Sequence, residues 1–415
     1  MDRIIKADSK AYSAFPDEFS FSLIHHAYAI LAEPNASGSM LAVGYTTGQV
    51  VIWDLMFRKV LETIDRNVYP IACLCWNHNT VYIASYDRMI VVYDVAALKE
   101  LSSYVVRDVP VNLSINPVQD SFLIVTLACE DSIIIDTSCG VSTDLMPSSI
   151  ASSFEATDSA KSVTSIAIFD KTGKYILKGM NNGRLSILDL GTMQELACVR
   201  VSNANIMKIE CAKVSNDLIL VISTDRVIRI FALSEIIKTF DNKLADHRQP
   251  VTLQPLASLQ DQVNRVSWMH ATFSDNDQYV ISSSHKLDLL FIWDIMSASL
   301  LKTMSLFTRK KFVDIAWHPY RPLIYSVTSG IVAVWKQPES QKWSAFSPKY
   351  MHVDQNIVYR EREDEFDQCS DDSRDSDQES CLYGSDEEEK EEFVSSFDFI
   401  KKPLLNGKDI PFIRR

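Results

Sequence analysis

Glycine is scarce in this chain, at 11 of 415 residues, which argues against glycine-rich loops that cradle phosphate groups. No run of about 18 apolar residues occurs, so the sequence predicts no membrane-spanning helix. The start, MDRIIKADSK, has no apolar stretch of the kind that an export signal needs. The 8 cysteines are scattered, as is typical of reduced thiols. We therefore expect no membrane partner.

Sequence patterns that carry chemistry are missing as well. HExxH, Cys-x-x-Cys and Gly-x-Ser-x-Gly do not occur, so we expect neither a zinc site nor a nucleophile elbow. Thr172, Gly173 and Lys174 resemble part of a phosphate loop but lack its upstream glycine. Cys73 and Cys75 are interpreted as core thiols on opposite faces of one strand. The sequence therefore predicts no catalytic residue, no metal site and no cofactor.

Negative charge is concentrated in one segment. The whole chain carries −13, whereas residues 354–400 alone carry −14 and residues 401–415 carry +4. Residues 1–353 are left with only −3. With 47% apolar residues in the chain, this nearly neutral body can bury a large core, and its charge is not that of a general nucleic-acid binder.

A pattern of three short apolar strands recurs seven times along the body. The residues that close the third strand of each copy are Trp53, Tyr93, Ile135, Leu188, Phe231, Trp293 and Trp335. Their spacings are 40, 42, 53, 43, 62 and 42 residues. A period of about 40–45 residues, with a fourth strand between units, is typical of WD40 β-propellers. The sequence therefore predicts an all-β, seven-bladed WD40 propeller over residues 22–336, with another all-β array as the alternative.

Two details of this ring remain open at the sequence level. The two long spacings predict insertions near residues 137–160 and 233–256. The N-terminal segment, residues 1–21, could supply a closing strand to the last blade, although no strong strand pattern is visible there.

Basic residues recur at one predicted end of the last three blades. We expect Arg226 in a turn of the fifth copy, Arg265 before the first strand of the sixth, Lys286 in its turn, and Arg309 before the first strand of the seventh. Such an arc could hold DNA phosphates without reading bases. Ordinary solvated charge is the alternative.

The tail after Trp335 alternates apolar islands with acidic stretches. Residues 342–350 read KWSAFSPKY, residues 356–367 read NIVYREREDEFD, and residues 391–400 read EEFVSSFDFI. Between them, residues 368–390 are almost entirely acidic and serine, so we expect a largely disordered linker there. The islands predict short motifs that become ordered on a partner. Ser376 and Ser385 each precede an acidic residue by three positions, as acid-directed phosphorylation sites do.

Several segments carry a family resemblance: LAVGYTTGQVVIWDL, VDIAWHPYRPLIYSVTSGIVAVW, and above all KWSAFSP followed by NIVYREREDEFD. These segments resemble the retinoblastoma-binding protein 5 family. That family comprises WD40 core subunits of MLL/SET-type (COMPASS) histone methyltransferases. The resemblance covers the seven blades and both tail motifs. WD repeats alone are weakly specific, whereas the ordered tail motifs are highly specific. The basic C-terminus, residues 401–415, ends the chain soon after the third motif.

The resemblance implies roles for the tail. Residues 337–355 would be the segment that activates the catalytic SET domain, with Trp343, Ser344, Ala345, Phe346, Pro348 and Tyr350 as its core. Residues that would bind the SPRY domain of the ASH-two-like subunit are Val358, Tyr359, Glu361, Arg362, Glu363, Glu365 and Phe366. Residues that would dock on WD-repeat protein 5 are Phe393, Val394, Phe397 and Asp398. Asp364 stands where the family commonly has serine.

The resemblance also implies that the basic arc docks on nucleosomal DNA. We therefore expect a nuclear, non-catalytic scaffold that orders a SET domain acting on lysine 4 of histone H3, with S-adenosylmethionine bound by the partner. A substrate receptor of another nuclear complex, such as a ubiquitin ligase, is one rival. An enzyme is another, but it would need a buried polar cluster near the central channel, and the sequence shows no residues for one.

Overall fold

Short runs of β-branched and aromatic residues between polar turns determine the local structure of this chain. VVIWD in the first repeat and LLFIWD in the sixth are typical strands, and each is followed by a turn that begins at its aspartate. A computed structural model describes residues 15–145, 163–241, 251–261, 263–284, 288–306, 311–328 and 330–337. These residues form seven sheets, so the predicted seven-bladed propeller is confirmed.

Each of the first four blades is an antiparallel sheet whose strands follow one another in sequence. Blade 1 contains β2 (Ala29–Pro34), β3 (Met40–Tyr45), β4 (Val50–Asp54) and β5 (Lys59–Ile64). Blade 2 contains β6 (Ile71–Asn77), β7 (Thr80–Ser85), β8 (Met89–Asp94) and β9 (Lys99–Val105). Blade 3 contains β10 (Pro110–Ile115), β11 (Phe122–Leu127), β12 (Ile133–Asp136) and β13 (Val141–Asp144). Blade 4 contains β14 (Thr164–Phe169), β15 (Tyr175–Met180), β16 (Arg184–Asp189) and β17 (Glu195–Arg200).

The last three blades include the larger insertion and the strand that closes the ring. Blade 5 contains β18 (Ile206–Cys211), β19 (Leu218–Ser223), β20 (Ile228–Ala232) and β22 (Ala257–Leu259). Blade 6 contains β23 (Trp268–Phe273), β24 (Tyr279–Ser284), β25 (Leu289–Asp294) and β26 (Ser299–Ser305). Blade 7 contains β27 (Phe312–Trp317), β28 (Leu323–Thr328), β29 (Ile331–Lys336) and β1 (Glu18–Leu23).

The first strand of each blade lies innermost. These seven strands contact one another in ring order, from β2 through β6, β10, β14, β18, β23 and β27 back to β2. Apolar side chains fill the space between neighbouring blades, as Ile52 of blade 1 does against Ile71 and Ile83 of blade 2. Stacking in a ring therefore covers both faces of every blade.

The insertion predicted near residues 233–256 is described except for residues 242–250. It contains the helix α1 (Leu233–Asp241) and a two-residue strand, β21 (Val251–Thr252). β21 pairs in parallel with β17, so a segment of blade 5 extends the sheet of blade 4. The insertion predicted near residues 137–160 begins with β13, and residues 146–162 lie outside the described part of the chain. No helix within the described ranges is long and apolar enough to cross a bilayer.

The strand that closes the ring comes from the N-terminal segment, which the sequence left undecided. β1 pairs antiparallel with β29, and Phe19 packs edge to face on Trp335 at 6.2 Å between ring centroids. EFSFSL places Phe19, Phe21 and Leu23 on alternate positions, which is a half-buried strand pattern. The propeller therefore begins at Glu18 rather than at residue 22.

Candidate functional site

The structure brings two of the predicted basic residues together at one end of the ring. Arg226 lies in the turn between β19 and β20, and Arg265 lies in the loop before β23. Both are exposed. The Trp268 indole Nε1 donates to the Arg226 carbonyl oxygen at 3.0 Å, so the two loops of neighbouring blades are tied together.

A serine–aspartate pair holds Arg226 at the tip of its turn. Ser223 Oγ donates to Asp225 Oδ1 at 2.5 Å, and the Val227 amide donates to the same oxygen at 3.2 Å. Asp225 is also paired with Arg229, with 2.6 Å between Oδ2 and the guanidinium. Because the Asp225 carboxylate pairs with Arg229, it does not pair with Arg226. The Arg226 guanidinium can therefore bind a ligand.

The other predicted binding residues cannot be placed in the same way. Lys286 and Arg309 lie outside the described residues, whereas the neighbouring Lys311 is described and exposed. The tail motifs at residues 342–355, 356–367 and 391–400 also lie outside the described residues. The arc therefore has two described members.

The central channel carries a second polar cluster. Each innermost strand has a register shift around its second residue, which aligns the seven strands position by position. On blades 5, 6, 7 and 1, at least one of the third and fifth positions carries a charged or ionisable residue. We call this side the charged wall, which comprises Lys208, Glu210, His270, Asp314 and Glu33.

Blades 2, 3 and 4 form the opposite side of the channel. At the same positions they carry uncharged groups. We call this side the uncharged wall, which comprises Cys73, Cys75, Asn112, Ser114, Ile166 and Ile168.

Asp314 connects three blades of the charged wall. Its Oδ2 accepts from the Ala32 amide of blade 1 at 3.0 Å, and its Oδ1 accepts from the Ile315 amide at 2.9 Å. Nδ1 of His270, on blade 6, lies 3.5 Å from Asp314 Oδ1. Burial lowers the pKa of His270 to about 4, and the nearby Asp314 only partly opposes this. His270 is therefore neutral at pH 7, and the contact is not an ion pair.

Two more charged side chains are held by hydrogen bonds. Glu210 Oε1 accepts from Thr272 Oγ1 at 2.5 Å and from the Phe273 amide at 3.3 Å, which joins blades 5 and 6. Lys213, in the turn after β18, donates from Nζ to the Trp317 carbonyl oxygen of blade 7 at 2.7 Å. Burial lowers the pKa of Lys213 to about 8 although Glu210 and Glu33 favour its charge.

Glu33 differs from the other members of the charged wall. Within the described residues, its carboxyl group makes no hydrogen bond and no ion pair, and solvent reaches it from the channel. The surrounding protein still removes much of its hydration, which together with the negative charge of Asp314 raises its pKa to about 8. Lys208 opposes this shift without forming an ion pair. The channel therefore contains an acid that has no hydrogen bond or ion pair among the described residues.

The channel cluster corrects two expectations from the sequence. No residues for a polar cluster were expected near the channel, but they are present because seven strands far apart in sequence meet at the axis. Aligning the third and fifth positions of the innermost strands would have revealed them. Cys73 and Cys75 are two positions apart, so they share a face of β6 rather than opposing each other.

The uncharged wall holds two cysteines without the features of a reactive thiol. Burial and the nearby Glu33 raise the pKa of Cys75 to about 12, which keeps that thiol protonated at neutral pH. Within the described ranges, no three His, Cys, Asp or Glu side chains are arranged to hold a metal ion. The charged wall can hold a cationic group, because its unpaired member is an acid.

The relatives found by sequence and by structure agree with one another. No family model matches the chain. The retinoblastoma-binding protein 5 homolog of Drosophila melanogaster is 31% identical over 365 residues, which cover 86% of this chain and 71% of that protein. The Set1 complex component swd1 of Schizosaccharomyces pombe is 28% identical, over 85% of this chain and 87% of that protein. The solved β-propeller domain of Cps50 (Swd1) from Myceliophteria thermophila superposes with a TM-score of 0.68 at 25% identity, covering 77% of this chain and 99% of that domain.

Proposed function

Because the chain belongs to the retinoblastoma-binding protein 5 family, we propose that it is a scaffold subunit of a Set1-type (COMPASS) histone H3 lysine-4 methyltransferase complex. The observation that carries this proposal is the match to a Set1 complex component along most of both chains. The fold agrees, since the solved Swd1 propeller aligns over almost its whole length. Such a complex acts on chromatin, so the proposed location is the nucleus.

The scaffold has two parts with separate tasks. The propeller binds nucleosomal DNA through the basic arc, in which the Trp268 hydrogen bond to the Arg226 carbonyl oxygen ties the turn that carries Arg226 to blade 6, the blade of Arg265. The tail extends across the ASH-two-like SPRY subunit, the SET domain and WD-repeat protein 5. By binding the active arrangement of the SET domain, the tail shifts its population without taking part in the chemistry. The methyl donor is bound by the SET subunit.

The activating task is tested with the full chain in a reconstituted complex. Tyr359→Ala combined with Phe366→Ala should lower the rate of histone H3 methylation by at least about tenfold, since the SPRY-binding motif is deprived of both aromatic anchors. Tyr383→Ala, an aromatic change within the acidic linker, is the matched control and should leave the rate unchanged. Equal rates for all variants would refute the scaffold proposal.

The DNA-binding task is tested by salt dependence. Arg226→Glu with Arg265→Glu should weaken nucleosome binding and reduce the salt slope by roughly 0.9 for each DNA phosphate that is no longer neutralised. Arg321→Glu, an exposed arginine in the turn after the first strand of blade 7, serves as the control. An unchanged slope in the double variant would eliminate the arc. A substrate receptor of a ubiquitin ligase, the rival function, would show full activity without the tail.

A further inference from the structure

One end of the channel is lined by a ring of seven residues, which we call the collar. They occupy the second position of each innermost strand, where the register shifts. The collar comprises Ile30, Ala72, Val111, Ser165, Met207, Met269 and Val313. Each is at least partly accessible to solvent, whereas the residue before it is buried in every blade. Six of the seven are apolar, so the channel opens through an apolar ring.

The charged wall lies beyond the collar along the same strands. Its third-position residues follow the collar directly, and Glu33 and Glu210 lie two residues further on. Farther still along blade 5, Lys213 donates to the Trp317 carbonyl oxygen of blade 7. The channel thus has an apolar ring at one end and charged side chains beyond it.

Exposed tyrosines lie beside the open end on blades 1 and 2. Tyr28 precedes β2 directly, and its carbonyl oxygen accepts from the Thr46 amide at 2.9 Å. Tyr86 lies in the turn after β7, and its amide donates to the Pro70 carbonyl oxygen, next to Tyr69, at 3.1 Å. All three side chains are about half exposed or more. Tyrosine is enriched at protein interfaces because it gives a rigid apolar surface with a polar tip.

We propose that the channel receives one arginine or lysine side chain of a partner polypeptide, inserted through the collar toward Glu33. The aliphatic stem of such a side chain matches the apolar collar, and its cationic head matches an acid that has no partner. The exposed tyrosines then contact the residues that flank the inserted side chain. Arg226 and Arg265 lie at the same end but on blades 5 and 6, whereas the three tyrosines lie on blades 1 and 2.

The raised pKa of Glu33 supports this assignment. Burial and the nearby Asp314 keep the proton on this carboxyl group to about pH 8, although Lys208 and Lys213 oppose the shift. An inserted cation would stabilise the ionised form, and Glu33 would release its proton on binding. Lys208 competes with the inserted arginine or lysine side chain, because its charge already acts on Glu33.

The probe is an acetylated, amidated pentapeptide with a central arginine between alanines, titrated into the full chain. Its partner probe has citrulline at the centre, which keeps the shape and removes the charge. The arginine peptide should bind at least about tenfold more tightly than the citrulline peptide, because hydrogen bonds to charged groups are stronger. Glu33→Gln should lower the affinity for the arginine peptide by at least about fivefold, and Lys208→Met should raise that affinity by about threefold.

The control variant is Glu130→Gln, an exposed carboxyl group on a turn of blade 3 at the same end. It should leave the affinity unchanged, and thermal melting of each variant verifies its folding. The proposal is overturned if citrulline binds as tightly as arginine, or if Glu130→Gln weakens binding as much as Glu33→Gln does. It is equally overturned if no binding is seen up to the solubility limit of the peptide.

Discussion

The charged and uncharged walls of the channel are built from the same strand type and differ only at two positions. On both walls, the first and fourth residues of each innermost strand are mostly apolar and buried between blades. The third and fifth residues lie beside the axis and vary more in type, from Glu33 and Lys208 on the charged wall to Ile166 and Ile168, which pack in an inter-blade core, on the uncharged wall. The difference shows that the same strand framework accepts either charged or apolar residues at these positions.

Side-chain hydrogen bonds join neighbouring blades on both walls, and those on the charged wall are the stronger ones. Asp314 joins blade 7 to blade 1 through a carboxylate. On the uncharged wall, Ser114 joins blade 3 to blade 4 through a hydroxyl that accepts from the Phe169 amide at 3.0 Å. A charged acceptor makes the stronger hydrogen bond, so loss of the two links should differ in cost.

The largest effect is expected at Asp314. Asp314→Ala removes the acceptor of two buried amides and should cost about 2–4 kcal/mol of unfolding free energy, whereas Ser114→Ala should cost about 1 kcal/mol. Asp314→Asn keeps an acceptor and should fall between them. Urea unfolding measures all three. Equal costs at Asp314 and Ser114 would remove the energetic distinction between the walls.

The second effect is a dependence on acid at His270. An unfolded histidine takes up a proton near pH 6.5, but the folded one resists until about pH 4, so stability falls as the pH drops through this window. The loss should approach about 3 kcal/mol. His270→Gln does not titrate and should lose less stability across the same range. Parallel curves for both proteins, from unfolding at several pH values, would contradict the assignment.

A smaller effect of opposite sign is expected at Glu33. The folded carboxyl keeps its proton to about pH 8 whereas the unfolded one loses it near pH 4.5, so stability declines as the pH rises between these values. Solvent access through the channel limits the change to less than about 1 kcal/mol. Glu33→Gln should abolish it. Thermal melting between pH 5 and 9 compares the two proteins, and a flat wild-type profile would speak against the raised pKa.

The smallest effect concerns the uncharged wall. Cys129 and Cys139 are exposed, whereas Cys75 has a strongly raised pKa. Iodoacetamide at pH 8 should therefore modify Cys129 and Cys139 before Cys75, because the thiolate is the reacting form. Mass spectrometry of the digested protein gives the order. Early alkylation of Cys75 would mean that solvent and base reach that wall readily.

The periodic part of this structure could be predicted directly, whereas the axial part becomes visible only when the innermost strands are aligned with one another. The seven third-strand residues from Trp53 to Trp335 all lie in third strands, because the 40–45-residue period reflects inter-blade packing. The charged wall is assembled from positions 33 to 314, so no local spacing reveals it. Arg226 was predicted from its turn, but its link to Trp268 requires two blades to meet.

The pairing of β1 with β29 joins segments more than 300 residues apart. During synthesis at about 5–20 residues per second, the strand that is made first waits roughly 15–60 s for the strand it needs. Throughout that interval Phe19 and Phe21 belong to no sheet. They are free to meet a chaperone, or the unfinished last blade of another copy. A ring closed by its own beginning can therefore also be closed by its neighbour's, and local concentration during translation decides between a monomer and a strand-exchanged pair.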